Sequence, residues 1–373
     1  MKIIYISDSI IPSRSANSIH VMKMCQALAD NGYKVVLLAP DIEHKYEKSV
    51  DDVYEYYRVK KNFEIKKLWY PNIKGNFLFY TMAIIFYLFL NKNIDLVYGR
   101  FLHGCYAAML LKKKVIFELH ENIFKKKKHI IFIFKKLIKN TYLKKLIVIS
   151  EALKNIYLKK KCLKSSIIQV AHDGSDEVTD FDSRANILGI KNNLKIGYVG
   201  HLYKGKGMEV IASIADQLDN DIEIHIVGGL EKDIKLWKTK INHNNIFFYG
   251  YVPHWEVSSY INSFDVCLLP NQKIVHPLGA DNFEKDVNIS DFTSPLKLFE
   301  YMAHKKPIIA SDLPVIREVL NEKNSILVEC DNFELWKSSI QKLRNLKNRE
   351  VIAKQAFVDF HYYTWKNRVK SII

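Results

Sequence analysis

The stretch KIIYISDSIIPSRSANSIHVMKMCQALADNGYKVVLLAP, residues 2–40, decides the fold. KIIYIS is an apolar strand that stops at Asp8. A helical pattern follows from Ser18 to Asp30, and Asn31-Gly32 closes it, because these residue types accept the backbone angles that end a helix. KVVLLAP then supplies a second strand, so the segment is one βαβ unit. Working outward, further apolar strands are predicted at DLVYGR (95–100), KVIFELH (114–120) and KLIVIS (145–150). The last leads into a helix capped by Ser150 with Glu151 in its first turn. Strands that are apolar throughout and alternate with helices indicate a parallel sheet covered on both faces.

A second series begins after the polar stretch HDGSDEVTDFDSR (172–184), which has linker composition. Its strands are predicted at LKIGYVG (194–200), IEIHIVGG (222–229), NIFFYGYVP (245–253), DVCLLP (265–270), KPIIASD (306–312) and NSILVE (324–329). The fold class is therefore α/β, with two doubly wound parallel-sheet domains in series: 1–175, 185–355, and a last helix at 356–373. Ligands of such folds bind outside the carboxyl ends of the strands, here in a cleft between two domains. Three groups lie just after strands: Asp8 to Ser18, Glu118 to Glu121, and His201 to Gly207. The polar run from Pro270 to about Ser290 is too long for an ordinary connection, and such loops are often functional lids.

The 373 residues suffice for two cores, and 48% hydrophobic with 26% charged residues excludes disordered and fibrous classes. Five cysteines, scattered and never spaced as CxxC, point to a reducing compartment without zinc or disulfide framework. The start reads as a strand rather than a signal peptide. FLFYTMAIIFYLFL (77–90) is an apolar run of 14 residues, fewer than a bilayer-spanning helix needs, and reads as a buried helix. The net charge of +16 is uneven. Residues 1–175 carry 31 Lys and Arg against 14 Asp and Glu, a net +17, whereas the remainder carries 25 against 26. A basic half joined to a neutral half implies that one half meets a polyanionic surface.

SPLKLFEYMA (294–303) poses a chemical question. Ser294 reads as an N-cap, Pro295 as the first helical residue, and Leu296, Leu298, Phe299 and Met302 as the apolar face. Lys297 then sits in the first turn, where the helix dipole disfavours a cation unless an anion is near. Glu300, one turn on, is able to accept hydrogen bonds from ligand hydroxyls. The plainer alternative has Lys297 reaching into solvent and Glu300 paired with a base. GHLYKGKG (200–207) places three glycines and two lysines at a strand-to-helix turn, where backbone amides and cations favour phosphate. It is neither GxGxxG nor a Walker motif. Two cationic helix starts in one domain suggest a diphosphate between them.

These segments, with DSIIPSRSANSIHV, VIFELHE, LIVISEAL, FFYGYVPHWEVSSYINSFDVCLLP, SPLKLFEYMAHKKPIIASDLPVIREVL and the late YTWKNRV (363–369), resemble the GT-B fold retaining glycosyltransferases of family 4, also called group 1. The resemblance runs through most of the chain. It implies two Rossmann-like domains facing a cleft, a UDP- or GDP-sugar donor on the second, a glycan or lipid-linked acceptor on the first, and retention of configuration without a protein-bound metal or other cofactor. A role in bacterial surface polysaccharide or lipopolysaccharide synthesis goes with it. By position, Lys206 matches the lysine on the donor diphosphate, and Glu300 the second glutamate of Glu-x7-Glu, which binds the ribose. His120 matches a histidine beside the donor sugar; with Lys206 and Glu300 it completes the catalytic set. Ser294, Pro295, Leu296 and Lys297 would lie by the phosphates, with Gly200, His201, Lys204 and Gly205, and Tyr251 would flank the base. Ser15, Asn17 and Ser18 stand on the acceptor side, where the family has a glycine pair. The family's arginine after the strand glycine is His201 here, and Lys204 or Lys297 is the candidate to supply its charge. The first glutamate of the motif falls at Phe292, and Asp291, Asp281 or Glu284 are candidate substitutes. The closing helix would cross back onto the first domain, and the implied mechanism is front-face attack assisted by the leaving phosphate. Other GT-B enzymes, an epimerase or a phosphorylase, would share the fold. A nucleic-acid-binding protein would explain the basic half, but no groove-reading or stacking motif is present, and no nucleic-acid partner is expected.

The run Lys125, Lys126, Lys127, Lys128 leads into HIIFIFKKLIKN, where Ile130, Phe134, Leu137 and Ile138 share one helical face and Lys135, Lys136 and Lys139 lie opposite. An amphipathic basic helix of this kind suits an anionic lipid surface, and the charge excess lies in the same half. The expected place is the cytoplasm, peripheral on the inner face of the cytoplasmic membrane.

Overall fold

The computed structural model describes all residues except 43–46, 48–49, 162–163, 216, 242 and 277–287. Asp281 and Glu284, and most of the long loop after Pro270, thus lie outside the described residues. The chain divides into two compact units, Met1–His172 with Trp365–Ile373, and Asp173–Thr364.

In chain order the first unit contains β1 (Lys2–Ile6), α1 (Ala16–Asp30), β2 (Lys34–Pro40), α2 (Val53–Tyr56), β3 (Glu64–Leu68), α3 (Asn76–Leu90), β4 (Leu96–Gly99) and α4 (Leu102–Leu110). It continues through β5 (Val115–Leu119), α5 (Lys128–Ile138), β6 (Leu143–Val148), α6 (Glu151–Lys159) and β7 (Ile168–Val170). The seven strands form a parallel sheet in the order β3-β2-β1-β4-β5-β6-β7. Strand order reverses beside β1. Right-handed crossovers therefore put α1 and α2 on one face and α3 to α6 on the other. Ser15 caps α1, accepting from the Ser18 N–H, and the Ser150 hydroxyl caps α6 by accepting from Leu153.

The second unit contains β8 (Leu194–Val199), α7 (Met208–Ala215), β9 (Ile222–Val227), α8 (Glu231–Lys240), β10 (Ile246–Gly250), α9 (His254–Ser263) and β11 (Val266–Leu269). After these come α10 (Leu296–Ala303), β12 (Ile308–Ser311), α11 (Pro314–Arg317), β13 (Ile326–Val328), α12 (Phe333–Lys342) and α13 (Leu346–Phe360). Its six-stranded parallel sheet has the order β10-β9-β8-β11-β12-β13. Ile196, Ile224, Val266 and Ile309 from the strands meet Trp336 and Ile340 of α12 in one core. The last helix, α14 (Trp365–Ile372), returns to the first unit and packs on α1.

Two readings of the sequence are corrected here. Only Tyr80, Ile84 and Leu88 of α3 are buried, while Leu78, Met82, Phe86, Phe89 and Leu90 are exposed, so this apolar helix is a surface helix. Ser294 is not the cap of α10. Pro295 holds that place in extended backbone (ψ 119°), and the Ser294 hydroxyl is taken up by the Asp173 N–H at 3.0 Å. Among the described residues no helix is long and apolar enough to cross a membrane.

Candidate functional site

In the second unit, the loop Gly200–Gly207 leaves the carboxyl end of β8 and delivers the chain to α7. Tyr198, buried near the end of β8, holds this loop closed: its hydroxyl lies 2.6 Å from the carbonyl of His201 and 3.0 Å from that of Lys206. The Gly205 N–H donates to Glu209 at 3.0 Å, and the Gly205 carbonyl accepts from Gln272 at 2.9 Å. Gly200 has φ +148°, and a side chain there would run into the Lys297 ammonium, so glycine is what lets α10 present its lysine to the loop.

Lys297 occupies the first turn of α10 and does not swing into open solvent. Its Nζ lies 4.3 Å over the Tyr198 ring and 3.3 Å from the Tyr198 hydroxyl. Burial, then the Lys206 cation, press its pKa down to about 7, against a smaller opposing effect from Glu300. Burial likewise lowers Lys206 to about 8. Lys206 rests 5.3 Å over the Tyr203 ring. His201 is exposed on one side, yet the protein mass around it, then Lys297 and Lys206, hold its imidazole below the usual range. Here the family's fixed positive charge is replaced by a neutral ring. Lys204 points to solvent. The two lysines repel each other here, and an anion beside them would favour their charged forms.

Glu300 takes the paired alternative. Its Oε1 lies 3.1 Å from His254 Nε2 at the start of α9. Burial would raise the Glu300 carboxyl, but the His254 hydrogen bond and charge, then His304 and Lys297, hold it below its ordinary range. Leu296 is half-buried beside Lys297, and Tyr251 follows β10 and is exposed. Phe292 is buried in the core and offers no polar group. Asp291 is exposed and accepts from the Asn288 amide at 2.8 Å.

The first unit holds a separate cluster at the end of β5. Glu118, 1% exposed, lies at 2.5 Å from His120 Nε2, 2.9 Å from His20 Nε2 and 2.9 Å from Arg368 Nη2, and also takes the Tyr98 hydroxyl. Burial opposes the carboxylate, but Arg368, then His20 and His120, hold its pKa well below the usual range. The His20 ring meets His120 edge-on at 4.7 Å and Trp365 at 5.1 Å. Arg368 further donates to the carbonyls of His172 and Ala171. His120 is thereby fixed with Nε2 toward Glu118. His20, which the sequence reading did not single out, belongs to this cluster. Its signal was a histidine inside the apolar face of α1, and for Arg368 an arginine in the closing helix.

Of the residues expected on the acceptor side, Ser15 and Asn17 are exposed at the start of α1. Ser18 is buried, and its hydroxyl is spent on the carbonyls of Ser13 and Ser15, so it braces the loop rather than facing a ligand. Of the lysine run, Lys126 pairs with Glu121 at 2.8 Å, while Lys125 and Lys128 are exposed.

Two parallel α/β units of this topology define a GT-B fold. The whole fold is matched by HepE of Anabaena in complex with UDP, at 14% identity over 100% of this chain and 98% of that one (TM-score 0.73). Sucrose-phosphate synthase of Thermosynechococcus elongatus matches at 16% identity, 100% and 97% coverage and TM-score 0.75. The lipopolysaccharide outer core galactosyltransferase WaaB matches at 15% identity, 100% coverage of both chains and TM-score 0.66. No curated protein matches the sequence. Residues 193–345 match the family model described as Glycosyl transferases group 1, and residues 18–177 the one described as Glycosyltransferase Family 4. The chain belongs to the family 4 type of GT-B glycosyltransferases.

Proposed function

We propose that the protein transfers a sugar from a UDP- or GDP-sugar to a glycan or lipid-linked acceptor with retention of configuration, in the synthesis of a bacterial surface polysaccharide or lipopolysaccharide. The observation that carries this reading is the pair Lys206 and Lys297, two ammonium groups depressed toward neutrality beside a glycine loop. A nucleoside diphosphate supplies the charge that such a pair lacks, and UDP complexes of the similar HepE support the choice of ligand. As the glycosidic bond to the diphosphate breaks, negative charge grows on the leaving oxygen. Lys206, Lys297 and the amides of the loop stabilise it there, already oriented and at no cost of reorganisation. Glu300, held ionised by His254, accepts the ribose hydroxyls. His120, oriented by Glu118, is the first-unit residue assigned to the sugar side. The acceptor hydroxyl attacks the face that the diphosphate leaves, and a phosphate oxygen takes its proton.

The test is release of nucleoside diphosphate from a panel of nucleotide sugars, with and without a lipid extract containing glycan acceptors. Release that requires the extract and falls by about two orders of magnitude or more in Lys206→Ala supports the reading. Conversion of the sugar with no acceptor present would assign an epimerase instead.

A further inference from the structure

The outer face of α3 is remote in role from the proposed donor residues, and among the described residues of the first unit it gathers the most exposed large apolar side chains. Its 15 residues, NFLFYTMAIIFYLFL, contain no charged side chain. Tyr80, Ile84 and Leu88 anchor one side to the unit. The opposite side carries Leu78, Met82, Phe86, Phe89 and Leu90, with Phe86 66% and Phe89 67% exposed. Trp69, 59% exposed, stands just before this helix with its ring edge-on to Phe79 at 5.1 Å. A soluble surface rarely leaves a stripe of this size to water. At about 1.5 Å per residue the helix is roughly 22 Å long, too short for the ~30 Å bilayer core. It has the length and the one-sided burial of a helix that lies along an interface.

The charge around it identifies the occupant. Lys74 and Lys92 flank the helix in sequence. On the same face of the sheet α4 packs between α3 and α5. In α5, Lys128, Lys135 and Lys136 are exposed, as is Lys139 just after it, while Phe134, Leu137 and Ile138 are buried. Phe132 of α5 is also exposed, with the Lys136 ammonium 5.5 Å over its ring. An apolar stripe beside a lysine-rich helix, in the half that holds all of the protein's excess positive charge, matches a surface that is oily within and anionic at its boundary. We propose that the α3 face, with α5 at its side, docks the first unit onto an anionic lipid bilayer, α3 lying in the headgroup boundary and the α5 lysines on the phosphates. The proposal shares the lipid-linked acceptor of the proposed function but stands on this surface alone. Lys125 to Lys128, singled out by the sequence, then form the edge of the docking face, and α3 forms its centre.

The test is co-sedimentation of the full chain with vesicles of phosphatidylcholine alone and of phosphatidylcholine mixed with phosphatidylglycerol, at low and high salt. Binding to the mixed vesicles that salt weakens is expected. Replacing both phenylalanines, Phe86→Ser with Phe89→Ser, should weaken it about tenfold or more. Because both side chains already face water, the variant should keep its melting temperature and its response to UDP. Lipids brominated near the glycerol backbone should quench Trp69, whose loss in Trp69→Tyr identifies the signal. Unchanged binding in the double variant, or no quenching, overturns the proposal. So does a wild-type protein that ignores vesicles but forms a dimer which Phe86→Glu with Phe89→Glu splits, since the face would then belong to a second copy. Vesicle binding that persists in a variant without UDP response supports the surface and counts only against the donor site.

Discussion

Binding of a nucleoside diphosphate should be accompanied by proton uptake, and the amount follows from the two lysines. Burial presses Lys297 down to about 7 and Lys206 to about 8. At pH 8, Lys297 is then about 90% neutral and Lys206 about half neutral. A diphosphate lying against both restores their charge, since an adjacent anion favours the ammonium form. Complete recharging corresponds to about 1.4 protons taken up per ligand at pH 8, and to well under one at pH 6.5. By the same linkage the association constant falls steeply above neutrality, by roughly 500-fold between pH 7 and pH 9 if both ammonium groups are required. The assay is calorimetric titration of UDP or GDP in buffers of different ionisation enthalpy, whose slope gives the proton count. Lys297→Arg should lose the larger share of the uptake at pH 8, because an arginine stays charged. No uptake at pH 8, together with pH-independent affinity, would refute the reasoning: the two lysines would not be the diphosphate's partners.

Three further outcomes follow. Lys297→Met should remove a depressed cation in favour of an apolar chain. Since the folded protein binds fewer protons at this position than the unfolded chain between about pH 7 and 10, the gain in melting temperature should be largest near pH 6 to 7 and fade at higher pH, while UDP binding is lost. Gly200→Ala should cost at least about 1 kcal/mol from the positive φ, and more than tenfold in UDP affinity, because its methyl group displaces the Lys297 ammonium; thermal unfolding and titration read the two effects separately. Glu118→Gln leaves Arg368 buried with half a partner and should destabilise by about 3 kcal/mol at pH 7. The carboxylate's contribution is present above its unfolded pKa and lost as pH falls through its lower folded one, so the variant should also show a shallower loss of stability below about pH 4.5 in urea titrations.

The strands most legible in the sequence were those buried on both faces. KIIYIS, KVVLLAP and DVCLLP announce themselves because water is excluded from both sides of a covered parallel sheet. The edge strands of the first sheet were not legible: β3 is EIKKL, largely exposed, and β7 only three residues long. An edge strand needs no apolar alternation, so its composition is that of a loop. Helix α3 was misread for the opposite reason. Composition reports how apolar a helix is, not whether a protein face exists to cover it. In the second unit, spacing put Lys206 before α7, Lys297 in the first turn of α10 and Glu300 one turn further on, as the structure has them. It could not show that Ser294 would be diverted to Asp173, or that Glu300 would find His254, because those partners are distant in the chain. The Glu118 cluster was half visible for the same reason: ELHE marks a strand end, but His20 and Arg368 reach it only through the fold.

Everything proposed for the second unit turns on its binding a nucleoside diphosphate through Lys206 and Lys297. The most direct measurement is a thermal-shift comparison of UDP, GDP, ADP and CMP with the wild-type chain, Lys206→Ala and Lys297→Ala. A ligand at one hundred times its dissociation constant stabilises by about 2.7 kcal/mol, which is a shift of several degrees. The account requires such a rise with at least one nucleoside diphosphate, and its loss in both variants. A rise that survives both substitutions, or none with any of the nucleotides, would contradict it.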